Sequence, residues 1–447
     1  MGHSSRIGIA SSAATSGKGR RRKAEWLRMI AMTSPTRRRS VCVIALAAAL
    51  TFGLAATAQA APDRAAIKRW SSNASFAKGT ADGITISGGG LRIGTPAGTL
   101  TYADPYGSKK PKTYSFGTWT SPWVATSFAT RRSVPSWNVE LPGGTWVRVQ
   151  MRGKTATKTS TWDTIANYGY ATSTVYRRSA STQGDDYSSV ATDTVTLDGS
   201  NTYKAWQLKV TLLRAPSSTA TPIVTSLGAI ASSYARRSIA TSKTTMTAAK
   251  DLDVPRYSQM IHAGQHDLWG GGGENWCSPT SVAMLLGYYR SGPKPADYDW
   301  SPYADSQVNH AARYTYDYRY QANGNWPFST AYAGRYGLDA FVTRLYDLRE
   351  AESFIKAGIP LAVSIKFAKG KLTGAPISAT NGHLLVIRGF TKTGKVIVND
   401  PAAATNASVR RTYSRAQFEK AWLGGSGGIA YVVRTPTTKL PTDSPRW

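Results

Sequence analysis

The chain has 447 residues, 41% of them hydrophobic and 18% charged, a mix that excludes collagen-like and disordered polymers and leaves an ordinary globular protein. Its 55 basic residues outnumber 25 acidic ones for a formal charge of +30, and at roughly 150 residues per domain the length has room for two to three domains. Glu is sparse beside Gly, Ser, Thr, Tyr and Trp, and Lys is outnumbered by Gly, Ser and Thr, which argues against a helical bundle or coiled coil.

At the N-terminus, Arg37–Arg39 precede an apolar run from Val41 to Leu54, and Ala58-Gln59-Ala60 supplies a small-x-small cleavage pattern. This is the layout of a secretory leader, expected at 1–60, and it predicts a secreted protein. The run is about 14 residues long, short of the roughly 20 that span a bilayer, so no stable membrane span is expected. A second basic cluster, Lys18–Lys23, makes the leader unusually long, whereas a start at Met29 or Met32 gives an ordinary one. A twin-arginine signal at Arg37–Arg39 fits the following residues less well. Without the leader the net charge is about +21, spread over both halves. Such a field serves solubility and favours acidic partners, here anionic cell-wall polymers, glycans or a membrane surface. No zinc finger, aromatic RNA-binding signature or helix-turn-helix is present, so no nucleic-acid partner is expected.

Residues 61–235 read as many short strands. Val147, Val149 and Met151 alternate with Arg148, Gln150 and Arg152, and Trp206, Leu208, Val210 and Leu212 alternate with Gln207, Lys209 and Thr211, the period of half-buried strands. Turn residues at Gly88–Gly90, Leu141–Gly144 and Asp198–Asn201 separate them. The prediction is an all-β antiparallel sandwich, jelly-roll-like. Residues 231–250 are rich in Ala, Ser, Thr and Lys without a strand pattern, which places a linker at 236–249.

The next part, 250–435, changes character. Ser281 to Tyr289 puts Val282, Leu285, Leu286 and Tyr289 on one helical face, ended by Ser291-Gly292-Pro293. Asp347-Leu348-Arg349-Glu350 has capping-box spacing, and Gly358 with Pro360 stops the helix that follows. Strands are expected at 361–367, 383–390 and 395–399, the last two joined by the Thr391–Gly394 turn. Helices followed by an antiparallel sheet give an α+β domain. The proline-rich 436–447 is expected to be a loose tail.

Two cysteines occur, Cys42 in the leader and Cys277. An exported single thiol at a helix start, with Pro279 in the first turn, has its thiolate favoured by the helix dipole; the alternative is an inert buried cysteine. Beyond the leader the histidines are His262, His266, His310 and His383. His383 opens an apolar strand, and the next strand ends in Asn399-Asp400-Pro401, where a carboxylate can orient the imidazole. Asp400 is chosen over Asn399 because it shares a face with Val396 and Val398. Gln259 is a candidate oxyanion donor alongside the Cys277 backbone N–H. A structural histidine and a surface glutamine are the plainer alternatives.

The Val254–Gln259 segment, the Cys277 helix, the Gly382-His383 strand and the Val398–Pro401 strand end resemble the papain-like cysteine peptidases related to bacteriocin-processing, double-glycine-leader peptidases. The resemblance covers about 250–435. It implies a papain-like domain with Cys277 as nucleophile, His383 as base, Asp400 as orienter and Gln259 in the oxyanion hole, acting on a peptide or protein substrate without a cofactor. Transporter-attached members carry Asp-Cys-Gly, where this chain has Trp276-Cys277-Ser278-Pro279; the similarity is to secreted, stand-alone bacterial members.

Rival readings concern the remaining motifs. His262, His266, Asp267 and Glu274 are metal-binding types, but Gly264 and the Gly270–Gly273 run break any helix that would align them, so no metal site is expected. The glycine run is expected to be a flap or a disordered turn. Tyr298–Tyr336 is dense in Tyr and Trp, read as packing in preference to a substrate groove. Two other functions fit the same residues: a wall- or polysaccharide-binding protein with an inactive papain-like scaffold, and a transamidase using the same triad.

Overall fold

The computed structural model describes residues 64–180, 183, 184, 186–234 and 238–443; the expected leader lies outside them. Up to Ser233 the described chain is almost all antiparallel strand, arranged in two sheets. One has the order β12 (Ser188–Ala191), β13 (Thr194–Leu197), β8 (Arg132–Glu140), β15 (Ile223–Ser233), β4 (Gly90–Ile93) and β3 (Ile84–Ser87), with β1 (Arg64–Trp70) also on β15. The other runs β11 (Arg178–Ser179), β10 (Asp163–Tyr168), β9 (Trp146–Lys154), β14 (Tyr203–Arg214), β6 (Pro111–Thr120) and β2 (Thr80–Asp82), with β5 (Gly98–Ala103) on β6 and β7 (Val124–Thr130) on β14.

The alternating strands supply the core between these sheets. On β9 and β14, Val147, Val149 and Met151 stand opposite Leu212, Val210 and Leu208, and all six are buried with Trp119 of the neighbouring β6 and with Trp70, Trp137 and Leu227 of the other sheet. The outward Arg152 lies over the rings of Trp123 and Trp162. Each large apolar side chain so buried contributes about 1.5–3 kcal/mol.

The second half is α+β. Its sheet has the order β17 (Asp339–Arg344), β22 (Ile429–Arg434), β18 (Leu361–Phe367), β19 (Thr380–Phe390), β20 (Val396–Asn399) and β21 (Arg410–Tyr413), with β16 (Lys250–Asp251) beside β19. Five helices accompany it: α1 (Cys277–Tyr288), α2 (Ser306–Thr315), α3 (Trp326–Gly334), α4 (Leu348–Lys356) and α5 (Arg415–Ser426). The two helices expected from sequence are α1, which starts at Cys277 as expected, and α4. At α4, Asp347 caps the Arg349 N–H at 2.8 Å, while the Glu350 carboxylate accepts from Tyr346 N–H at 2.7 Å, a capping box displaced by one residue. The turn between β19 and β20 closes through Thr391 N–H to Lys395 O at 3.0 Å, with Gly394 at φ +79°.

Residues 231–233, expected to lie outside any strand, instead finish β15. Ser226 to Ser232 are buried throughout, and a strand covered on both faces loses the polar alternation that marks a half-exposed one. Among its described residues the following stretch has no strand until Lys250, and residues 242–245 are tied down. Glu419 accepts from Ser242 N–H and Oγ, both at 2.7 Å, and Glu352 accepts from Thr244 Oγ1 at 2.6 Å and Thr245 N–H at 2.7 Å.

The two halves form one compact unit and share core. Phe328 and Ala331 of α3 pack among the sandwich residues. Asn138 of β8 uses its side-chain amide as a strand would, donating to Ala340 O at 2.8 Å and accepting from Ala340 N–H at 3.1 Å.

Candidate active site

Cys277 is the first residue of α1 and is half-buried. Ser278 to Leu286 are all buried, so α1 runs through the core of its half with Cys277 at the open end. Single turns at Met260–His262 and Gly273–Asn275 lead into it. Gly273 is required there: a Cβ would stand 2.3 Å from the Gln259 carbonyl oxygen and 2.4 Å from the His262 carbonyl carbon. Gly270, Gly271 and Gly272 have φ of +87°, +87° and +90°, a conformation glycine adopts at little cost, and Gly271 N–H closes the run on Asp267 O at 2.9 Å. The expected disordered turn is therefore a hydrogen-bonded one.

His383 lies near the start of β19 and Asp400 just past the end of β20. The two side chains meet in a buried contact, Nε2 to Oδ1 at 2.7 Å. The carboxylate also accepts from Ala402 N–H at 3.1 Å and from Tyr413 OH at 2.8 Å. Asn399 is used elsewhere: its Nδ2 donates to Pro255 O at 2.9 Å and its Oδ1 accepts from Arg388 at 3.2 Å. With Nε2 on Asp400, Nδ1 is the ring nitrogen left for Cys277, with which His383 interacts.

These contacts set the charges. Burial pushes the Cys277 thiol up, but the hydrogen bond and charge of His383, with the N–H groups of Leu384 and Ser278, hold it below the ordinary thiol value. Burial pushes His383 down, and Asp400 and Cys277 together raise it above the ordinary imidazole value. Asp400, although buried, is held below the usual carboxylate range by His383, Tyr413 and Ala402. The arrangement favours a thiolate–imidazolium pair.

Gln259 is buried beside this cluster. Its N–H donates to Pro401 O at 2.9 Å and its Nε2 to Glu274 O at 2.7 Å, tying it both to the segment after Asp400 and to the approach to Cys277. Its Oε1 is buried without a hydrogen-bond partner among the described residues. The structure thus gathers the four sequence candidates around one helix terminus.

The side chains of the other histidines have other partners. His262 contacts Gln265 at 3.0 Å, His266 stacks on Trp269, and His310 meets Tyr332 OH at 2.8 Å. Among the described residues no group of three His, Cys, Asp or Glu side chains is placed to hold a metal. The aromatic tract divides: Tyr316 and Tyr332 are buried, while Tyr303 and Tyr320 are 43% and 45% exposed. Tyr320 lies within electrostatic reach of Cys277 and Asp193. Sequence reasoning missed Tyr413, the second support of Asp400, and Asp193, a sandwich residue brought to the edge of the site.

Two family models match the chain. One, described as the Peptidase C39 N-terminal domain, covers 66–232, and the other, the Peptidase_C39 like family, covers 251–428. By these two matches the chain is related to the C39 peptidases. Among solved structures, a C39-like peptidase from Bacillus anthracis is 16% identical over 42% of this chain and 98% of its own, with a TM-score of 0.27. Prointerpain A of Prevotella intermedia is 16% identical over 40% and 71%, with a TM-score of 0.24. A carbohydrate-binding module of the β-sandwich superfamily is 10% identical over 36% and 56%, with a TM-score of 0.16. No curated protein matches. Among the described residues no helix is long and apolar enough to cross a membrane.

Proposed function

We propose that this C39 relative is a secreted cysteine peptidase that cleaves a peptide or amide bond through an acyl-thioester. The observation that carries the reading is the His383–Asp400 contact, with His383 electrostatically coupled to Cys277 at the start of α1. In this reading the thiolate attacks the carbonyl carbon, and the oxyanion takes the Cys277 backbone N–H and the second Nε2 proton of Gln259. Protonated His383 gives its proton to the leaving amine as the C–N bond breaks. Neutral His383 then takes a proton from water, which attacks the thioester and releases the acid and the thiolate. Asp400 holds the ring by Nε2 throughout.

The domain reading goes with it: a leader at 1–60, a sandwich at 61–235, a connecting strap at 236–249 and a peptidase domain at 250–435. The test is the rate of labelling by a thiol-reactive peptide electrophile, together with cleavage of a peptide library. The expected result is labelling confined to Cys277, abolished in Cys277→Ala and slowed about 10²- to 10⁴-fold in His383→Ala, with hydrolysed peptides as products. Equal labelling of His383→Ala and wild type would reject the reading. Products captured by an added amine in preference to water would make the enzyme a transferase.

A further inference from the structure

A cavity of about 280 Å³ opens on the sandwich, between β5, the start of β6 and the 171–176 loop. None of these elements carries a residue of the Cys277 cluster. Four tyrosines line it: Tyr102, Tyr106, Tyr114 and Tyr176. Asp104-Pro105-Tyr106-Gly107 has the residues of a β-turn, with Pro second and Gly fourth, and it closes through Gly107 N–H on Asp104 O at 3.2 Å. The Asp104 carboxylate accepts from Tyr106 N–H at 3.0 Å and from Tyr176 N–H at 2.7 Å, so it fastens the turn to the loop. The rings are braced as well. Tyr102 and Tyr114 lie against Trp146 with centroids 5.2 and 5.4 Å away, and Tyr176 meets Tyr318 edge-on at 4.7 Å. Two polar groups keep capacity to spare. Asp104 accepts two hydrogen bonds where a carboxylate has about four lone-pair sites. The Tyr102 hydroxyl accepts from Asn167 Nδ2 and from Arg178, both at 3.0 Å, and its own proton has no acceptor among the described residues.

We infer that this cavity binds a neutral oligosaccharide. A sugar ring carries C–H faces that pack on aromatic rings and hydroxyls that both donate and accept. Half-buried Tyr102, Tyr106 and Tyr176 offer the rings, Asp104 takes hydroxyl protons and Tyr102 gives one. A purely apolar ligand would strip water from the carboxylate and return no donor. An anionic ligand would meet that same carboxylate, while the two lining lysines, Lys110 and Lys112, are exposed and solvated. The expectation of acidic partners, drawn from overall charge, therefore does not extend to this cavity. Its volume is at the lower end of small-molecule sites. Because the turn is bonded to the loop and the rings are already packed, little freedom is lost on binding.

The experiment measures binding of maltohexaose, cellohexaose and chitohexaose to the full chain by titration calorimetry at low and high salt. At least one should bind with an affinity that salt leaves unchanged, as expected for an uncharged ligand. Tyr106→Ala and Asp104→Asn should each weaken that binding about tenfold, and Lys78→Gln should change it less than about twofold. Labelling of Cys277 should be unchanged in all variants, which separates this site from the peptidase reading. As a second measurement on the wild-type protein, the bound sugar should protect Lys112 from an amine-acylating reagent. Lys78, exposed near the opposite end of β6, where Thr80 pairs with Thr120, should stay reactive. Four outcomes would overturn the proposal: binding by none of the three sugars, binding undiminished in Tyr106→Ala, equal protection of Lys78 and Lys112, or tighter, salt-dependent binding of polygalacturonate that the same variants abolish.

Discussion

Asp400 shows how the fate of one carboxylate sets the charge of its neighbours. It is buried, yet three donors keep it ionised, and that charge keeps the proton on His383. Asp400→Asn leaves a group of similar shape with no charge, so the proton on His383 should be lost at lower pH. The sign follows from the shifts. His383 is raised and Cys277 lowered, so activity should rise as the thiol ionises below its ordinary range and fall as His383 deprotonates above its ordinary value near 6.5. In Asp400→Asn the alkaline limb should move down in pH and kcat/KM fall at least about tenfold, measured as a pH–rate profile on a peptide substrate; an unmoved alkaline limb would show that Asp400 does not tune the imidazole. Cys277, His383 and Asp400 were legible because each sits at a boundary that sequence marks: a helix start with Pro279, a strand opening and a strand end before Pro401. Tyr413 was not. It reaches Asp400 only because β21 pairs with β20, and nothing in Arg410-Arg411-Thr412-Tyr413 announces that partner.

Among elements, periodicity was readable where one face meets solvent and unreadable where both faces are covered. Strands β9 and β14 alternate and could be placed residue by residue. Helix α1 is buried nearly all round, so its true start at Cys277 is marked by chemistry more than by hydrophobic pattern, and α3, with Pro327 to Gly334 buried, offered no amphipathic signal at all. The strap after β15 carried even less signal, because its order comes from distant side chains. Glu352 is fully buried and binds Arg415 at 2.6 Å in addition to the strap hydroxyls. Replacing it by alanine leaves Arg415 buried without its carboxylate and unties Thr244 and Thr245. Glu352→Ala should therefore cost about 3–5 kcal/mol, read by denaturant unfolding. Glu352→Gln, which retains an acceptor oxygen, should cost less, and equal losses for the two would show that the charge is irrelevant.

For the whole molecule, the sandwich is part of the frame around the site. Asp193, in the turn between β12 and β13, accepts from Trp326 N–H at 2.8 Å at the start of α3. Arg177 donates to Arg313 O at 2.7 Å and Tyr316 O at 3.0 Å, and Ser179 N–H donates to Asp317 at 3.0 Å. These bonds hold the segment that carries Tyr320. Burial pushes Asp193 up to about 7 against the bonds that favour its charge. A carboxyl raised in the folded state, from about 3.9 in the unfolded chain, contributes stability that is fully present below pH ~4 and is lost as pH rises through about 7. Asp193→Asn cannot ionise and keeps an acceptor for Trp326. Its melting temperature should match wild type near pH 3.5 and exceed it increasingly from there to pH 8, by roughly 2–4 °C for each kcal/mol recovered; a constant offset between the two pH values would refute the assignment.

The amide of Asn138 answering both backbone groups of Ala340 has an evolutionary corollary. The halves cannot be exchanged as independent cassettes. Any foreign front half grafted onto this α+β scaffold must bring its own amide to that one backbone unit and its own acceptor to Trp326 N–H, or leave buried polar atoms stranded at about 1–3 kcal/mol apiece. Diversification of such proteins should therefore proceed by paired change across the junction, with the front half and the α+β half drifting as a single lineage.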